Sequence, residues 1–169
     1  MIKKFFAAMI LAIIVSAAQN VDAAPYLTYQ GYVANYGWMR PVGDGQVVGT
    51  TGEDRALEAL IINFDGGIRY RAHVKNIGWQ GWAYSGQVAG TVDEGLRMEA
   101  ICIELDGRAS RYYDVYYRAH VKNRGWLDWV CNGEVAGTVG EGLRLEALQI
   151  RIVDKGSHFG RGNRYPSYY

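Results

Sequence analysis

The chain has 169 residues, a formal net charge of +1 and 22 glycines, together with 13 tyrosines and five tryptophans. This length fits one ordinary domain, and the balanced charge argues against the basic face that binds nucleic acid or anionic lipid. Many glycines combined with many aromatic residues favour short strands joined by tight turns over long helices, because glycine weakens helix interiors.

The first 23 residues have the features of an export signal. Lys3 and Lys4 form a short positive region, and the apolar run over residues 5–18 is short for a membrane span. Small residues before the expected cleavage point predict that the leader is removed after Ala23. We therefore expect a secreted or cell-surface protein, with membrane contact only through an uncleaved leader.

Three copies of one sequence pattern fill most of the remaining chain. Residues 70–105 (repeat 2) and 117–152 (repeat 3) align without a gap and are identical at 23 of 36 positions, and residues 29–64 (repeat 1) are a weaker copy. Self-similarity at this period predicts a repeat architecture, since one such unit cannot bury its apolar face alone. We expect a single domain over residues 24–153 and a flexible C-terminal tail over residues 154–169.

Within each repeat, apolar and polar residues alternate with a period of two. In repeat 3 the pattern predicts strands near residues 117–122, 126–131, 134–136 and 143–152, separated by glycine-containing turns. The phase of the last strand shifts by one residue at a Glu-Ala pair in all three repeats. A shift at the same place in every copy predicts a β-bulge there.

Three such units around a pseudo-threefold axis can share one core. We predict an all-β fold of three four-stranded repeats with pseudo-threefold symmetry, and both a β-prism and a β-trefoil fit this description. The long kinked last strand favours the prism, because it could pack inward and exchange with its neighbours. An open solenoid of three units is the remaining alternative.

A recurring motif set accompanies this pattern. Repeat 2 contains Gly78-Trp79, Trp82, Gly86, Ala89-Gly90-Thr91 and Glu99-Ala100, and repeat 3 carries the same set from Gly125-Trp126 to Glu146-Ala147. The set resembles the clostridial hydrophobic repeat with a conserved tryptophan, the ChW repeat. The resemblance implies an exported or surface-associated bacterial protein with a role in an extracellular macromolecular system, and it brings no catalytic residues.

The tryptophans fall into two groups. Trp38, Trp79 and Trp126 follow a glycine in all three repeats, and we expect these indoles in the core as structural residues. Trp82 and Trp129 come three residues later, which on a regular strand places them on the opposite side, and repeat 1 has no counterpart. Because exposed aromatic rings are a platform for sugar rings, these two are candidate ligand-binding residues; a second packing layer is the alternative.

Charged residues recur at two further places. Arg71, Arg118, Lys75 and Lys122, on the exposed phase of the first strand, are secondary candidates for ligand binding. Glu58, Glu99 and Glu146 lie at the predicted bulge. We assign these carboxylates a structural role, since they can accept hydrogen bonds from backbone groups freed by the bulge or pair with a nearby arginine.

The sequence gives no reason to expect a metal ion or a cofactor. His73 and His120 occupy equivalent positions, but Tyr32 breaks the set in repeat 1, and tyrosine is a poor substitute for a zinc ligand. Cys102 and Cys131 are the only cysteines, and neither recurs in another repeat. A disulfide between repeats 2 and 3 and two separate thiols both remain open.

These patterns favour a secreted, non-catalytic binding module that recognises extracellular glycan or cell-wall polysaccharide multivalently. An alternative partner is a surface protein, in which case the chain is an interaction or assembly unit of an extracellular bacterial complex. A small hydrolase is the third alternative, and the sequence has no asymmetric cluster of acid, base or nucleophile to support it.

Overall fold

The computed structural model describes residues 26–157 and residue 159, so the predicted leader lies outside the described residues. Fifteen strands and one 3-10 turn, Ala109–Arg111, form this part of the chain. Repeat 1 contains β1 (Leu27–Val33), β2 (Gly37–Trp38), β3 (Val42–Gly43), β4 (Val47–Gly49) and β5 (Leu57–Phe64). Repeat 2 contains β6 (Ile68–Val74), β7 (Gly78–Trp79), β8 (Ala83–Tyr84), β9 (Val88–Gly90) and β10 (Met98–Leu105). Repeat 3 contains β11 (Tyr113–Val121), β12 (Gly125–Trp126), β13 (Val130–Cys131), β14 (Ala136–Gly137) and β15 (Leu145–Asp154).

The all-β fold of three repeats is confirmed, with one strand more per repeat than the four predicted. The predicted second strand is divided, because the chain leaves the ladder between the two tryptophans. In repeat 2, His73 is opposite Trp79 and Tyr70 is opposite Ala83, so three steps along β6 face four steps along the partner chain. One extra residue therefore bulges out between β7 and β8. No helix in the described part is long and apolar enough to cross a membrane.

The repeats exchange strands in a cycle. The short strand β9 of repeat 2 pairs with β5 of repeat 1, β14 of repeat 3 pairs with β10 of repeat 2, and β4 of repeat 1 pairs with β15 of repeat 3. Three open five-stranded sheets result, arranged as in a prism. The exchanged element is the short strand, whereas we expected the long last strand to exchange; the long strand instead receives its neighbour's short one.

The β-bulge predicted in the long strand is confirmed in all three repeats. Register shifts leave Glu58, Glu99 and Glu146 without a partner on the first strand of their own repeat. The backbone carbonyl of each of these residues accepts a hydrogen bond of 2.9 Å from the threonine that follows an exchanged strand, as Glu58 does from Thr91. The bulge is thus the point at which one repeat holds the next.

Glycine is required at this contact. Gly90 has a φ of +98°, and a Cβ atom on it would lie 2.2 Å from the backbone oxygen of Glu58. Gly49 and Gly137 make the same approach to Glu146 and Glu99. No side chain fits there, which explains the glycine that precedes threonine in every repeat.

Three fully buried tyrosines connect the repeats inside the core. Tyr29, Tyr70 and Tyr117 occupy equivalent positions on the first strands. The Tyr70 hydroxyl donates to the carbonyl of Gln87 and accepts from the backbone N–H of Ile62 in repeat 1 at 3.0 Å, and the other two bridge in the same way. Burial raises the pKa of Tyr29 and Tyr70 to about 12, and it also raises the pKa of Tyr117. These hydroxyls therefore stay protonated donors at any physiological pH.

Candidate functional site

The tryptophans lie on the outer face of the sheets. None of the five is buried, and Trp38 is 38% exposed, so the prediction that Trp38, Trp79 and Trp126 fill the core is wrong. The reason is the register. Trp79 is opposite His73, which belongs to the outward phase of β6, and residues directly opposite on neighbouring strands share a face. Buried tyrosines and aliphatic side chains fill the core instead.

Trp79 and Trp82 lie on the same side of the sheet, against the expectation from a regular strand. The guanidinium carbon of Arg71 is 5.0 Å from the ring centre of Trp79 and 4.7 Å from that of Trp82. The extra residue between β7 and β8 shifts the alternation by one and so turns Trp82 to the face that carries Trp79. Both distances are within the range of cation–π attraction.

These contacts form a tryptophan–arginine stack in repeat 2, consisting of His73, Trp79, Arg71, Trp82 and Arg69. The His73 ring meets Trp79 edge-on, with centres 5.4 Å apart and planes at 77°. At the other end, Arg69 lies 4.7 Å from the Trp82 ring and forms an ion pair of 2.5 Å with Glu104. The aromatic and cationic groups therefore form one continuous series on the outer face.

Repeat 3 contains an equivalent stack of His120, Trp126, Arg118 and Trp129. Arg118 lies 4.7 Å from the Trp126 ring and 4.8 Å from the Trp129 ring, and His120 meets Trp126 edge-on at 5.4 Å. Repeat 1 has no such stack. Gln30 stands in the arginine position and Pro41 in that of the second tryptophan, leaving only the contact of Trp38 with Tyr32.

Phe159, which lies beyond the last repeat, covers the end of the stack in repeat 3. The Phe159 ring packs edge-on against Trp129 at 5.1 Å and against Tyr116 at 5.2 Å, with Arg151 over it at 4.8 Å. Upstream, Lys155 donates to the carbonyl of Ser110 at 2.7 Å. The flexible tail predicted over residues 154–169 stays a prediction, and its described residues include Lys155 and Phe159, which contact repeat 3.

Each stack is anchored to the β-bulge beneath it. The Glu99 carboxylate, 5% exposed, lies 2.8 Å from Nη2 of Arg97 and 3.3 Å from Nδ1 of His73. In repeat 3 the corresponding distances from Glu146 are 2.9 Å to Arg144 and 3.1 Å to His120. The carboxylates thus bond to the arginines and lie beside the histidines that the first tryptophans contact.

Repeat 1 lacks both neighbours of the bulge carboxylate, the histidine and the arginine. Tyr32 and Ala56 stand in the positions of the histidine and the arginine. Burial, reinforced by the nearby charge of Asp93, raises the pKa of Glu58 above its ordinary value. Instead, the hydroxyl of Tyr32 donates a hydrogen bond to the carboxylate of Asp93 in repeat 2. The contact between repeats 1 and 2 is thus made here without an arginine.

The two stack arginines have different surroundings. Nε of Arg118 donates to Gln149 at 2.7 Å, and burial lowers the pKa of this guanidinium. Cys102 occupies the position of Gln149 in repeat 2, and Nε of Arg71 is buried there without a hydrogen-bond partner. Burial raises the pKa of the Cys102 thiol, an effect that Arg71 partly offsets.

The other predicted residues are not part of the stacks. Lys122 pairs with Asp54 of repeat 1 at 3.3 Å, and Lys75 is half-buried beyond the end of β6. Cys102 and Cys131 are not joined by a disulfide, so the bridge between repeats 2 and 3 is not formed. Within the described residues, no group of three or more His, Cys, Asp or Glu side chains is placed to bind a metal ion.

Sequence reasoning missed three members or neighbours of the stacks. Arg69 could have been found, because it shares the outward phase of Arg71 and His73. Gln149 and Phe159 carried no such signal. Gln149 stands at the position of Cys102 in repeat 2, and the two side chains share no chemistry. Phe159 lies beyond the last repeat.

Cyclic strand exchange and outward tryptophans define an all-β repeat protein in which the internal copies form one body. A family model described as Clostridial hydrophobic W matches residues 32–66, 73–107 and 120–154, together more than half of the chain. The protein therefore belongs to the ChW family, as the motif set predicted. Neither the curated proteins nor the solved structures gave a match.

Proposed function

We propose that this protein is an exported, non-catalytic binding protein that recognises extracellular polysaccharide through the stacks of repeats 2 and 3. The observation that carries the proposal is the position of the indoles: they lie half-buried on the outer face, where they contribute nothing to the core. Arginines occupy ring faces within the stacks, so the ring edges that remain open to solvent offer the apolar surface against which a sugar ring packs, and arginine N–H groups offer donors for its hydroxyls.

The number of stacks supports a multivalent mode of binding. Two stacks on one rigid body meet a repeating polymer as two linked sites, so that weak single-site affinities combine. Repeat 1, which lacks the arginine and the second tryptophan, serves in this proposal to complete the body. Its short strand β4 pairs with β15, which belongs to the repeat 3 stack's own sheet.

The test uses a glycan array and titration calorimetry on the mature protein beside the double variant Trp82→Ala/Trp129→Ala. We expect the double variant to lose binding to polysaccharide. Trp38→Ala is the matched control, because it removes an exposed indole from a repeat without a stack. Binding that survives in the double variant, or is lost equally in the control, would contradict the proposal.

A second candidate, docking to a surface protein, is favoured by a ring of exposed valines. Val47, Val88 and Val135 lie at equivalent places at the start of the exchanged strands, and their exposed fractions are 43, 46 and 37%. Exposed apolar side chains repeated on every sheet suit a protein interface. Under this alternative, Val88→Ser would lower the yield of the complex cross-linked to the surface protein. Sugar binding would be undetectable both in the parent protein and in the double variant Trp82→Ala/Trp129→Ala.

A further inference from the structure

We infer that Arg71 is an anion-recognition residue and that the polymer bound by repeat 2 is an acidic polysaccharide, whose carboxylate groups meet this guanidinium. The inference rests on the proposed function and specifies its ligand class. It starts from a local imbalance of charge in a chain that is nearly neutral as a whole.

Arg71 is the cation of the repeat 2 stack that no carboxylate neutralises. Arg69 is paired with Glu104, and Arg97 is paired with Glu99. Among the described residues, no acidic side chain lies within ion-pair distance of Arg71, so the charge of its guanidinium is left without a counterion. Its neighbour across the ladder is Cys102, a neutral thiol.

The guanidinium is also fixed in place before any ligand arrives. Indole rings at 5.0 and 4.7 Å hold it on the outer face. A planar guanidinium held in this way loses little side-chain entropy on binding, and its parallel N–H groups match the two oxygens of a carboxylate. A uronic acid residue supplies that carboxylate beside a ring that can pack against the open edge of Trp82.

Repeat 3 is less suited to this role. The Arg118 guanidinium already donates a hydrogen bond to Gln149, and Phe159 packs edge-on against Trp129. Repeat 1 has the uncharged Gln30 at the same place. The pseudo-threefold symmetry of the fold is therefore not matched at the ligand surface, and repeat 2 is the principal anion site.

The test compares polygalacturonate with dextran, an uncharged polymer, in titrations at low and moderate salt. Arg71→Gln should weaken polygalacturonate binding about tenfold or more, the size expected when a hydrogen bond between charged groups is lost. Arg71→Lys keeps the charge without the planar fork and should recover part of the affinity. Arg40→Gln, the same change at an exposed arginine of repeat 1, should leave it unaltered.

Two further arms separate the outcomes. Dextran sulfate in place of polygalacturonate distinguishes a sulfate from a carboxylate as the recognised group, and stronger binding of the sulfated polymer would overturn the assignment to uronic acid. Equal losses in Arg71→Gln and Arg40→Gln would show unspecific charge attraction and overturn the inference. Trp82-dependent binding of dextran without preference for acid would refute the anion site and leave the proposed function intact, whereas no binding of any polymer would refute the proposed function. Thermal unfolding followed by circular dichroism verifies that each variant is folded.

Discussion

Replacement of Gly90 by alanine tests whether the contact between an exchanged strand and the neighbouring bulge holds the repeats together. The new methyl group would lie 2.2 Å from the Glu58 oxygen and 2.7 Å from Cα of Ala59, both of them backbone atoms that cannot turn aside. The strand must therefore move, which endangers the 2.9 Å bond from Thr91 to Glu58. The φ of +98° adds strain for any residue with a Cβ atom.

The expected loss can be divided between these two causes. The backbone conformation costs about 1–2 kcal/mol for a residue other than glycine. Loss of the buried hydrogen bond and its alignment costs about 1–3 kcal/mol. Gly90→Ala should therefore lower the free energy of unfolding by about 2–5 kcal/mol, a large part of the 5–15 kcal/mol typical of a domain.

Chemical denaturation followed by circular dichroism measures this loss. Gly140→Ala is the matched control, because Gly140 has a φ of +79° and nothing within 4 Å of the position that a Cβ atom would take. The control should lose only about 1–2 kcal/mol, the backbone part alone. If Gly90→Ala were no more destabilising than Gly140→Ala, the bulge contact would not hold the repeats together.

Two further predictions concern the tail and the bulge of repeat 1. Phe159→Ala removes two edge-on ring contacts, each worth about 0.5–1.5 kcal/mol. Oxidation of Trp129 by N-bromosuccinimide should therefore speed up, while oxidation of Trp82 stays unchanged. Equal rates of Trp129 oxidation in the parent protein and in the variant would disprove the contact of Phe159 with Trp129. Because the pKa of Glu58 is raised, its folded carboxyl binds protons more tightly than the unfolded one, and its contribution to stability falls as pH rises above 4.5. Glu58→Gln should therefore raise the free energy of unfolding, measured in urea, at about pH 7 but not at about pH 4. Glu99→Gln, in contrast, should lower the free energy of unfolding at about pH 7, because it breaks an ion pair. An equal change at both pH values in Glu58→Gln would contradict the raised pKa of Glu58.

The sequence contained enough to predict the fold class and the bulges. Alternation in stretches such as residues 117–121 predicted half-buried strands, and the phase shift at Glu146 predicted an interruption that the ladder shows. Both are local signals, since a side chain's phase along one strand is decided by its nearest neighbours. The exchange of short strands was not predictable in this way, because two or three residues do not specify which repeat they pair with.

The tryptophans show where single-strand reasoning fails. A large apolar ring is usually buried, and the prediction rested on that general tendency. The pairing of strands, which only the structure shows, places Trp79 opposite the outward-facing His73. The extra residue before Ala83 then reversed the expected side of Trp82. Only the register across strands could reveal that both indoles meet one guanidinium. Phe159 was beyond prediction because it belongs to no repeat.

The cyclic exchange of short strands also decides how such a protein can change in length. Deleting any one repeat would leave one long strand and one short strand without their partners from the neighbouring repeat. The unpaired strand edges could then pair with a second molecule. Inserting a fourth would force every sheet to meet its neighbours at a new angle. Three is therefore a closed number for this architecture, while the outer rings of each unit stay free to diverge, as the first unit already has.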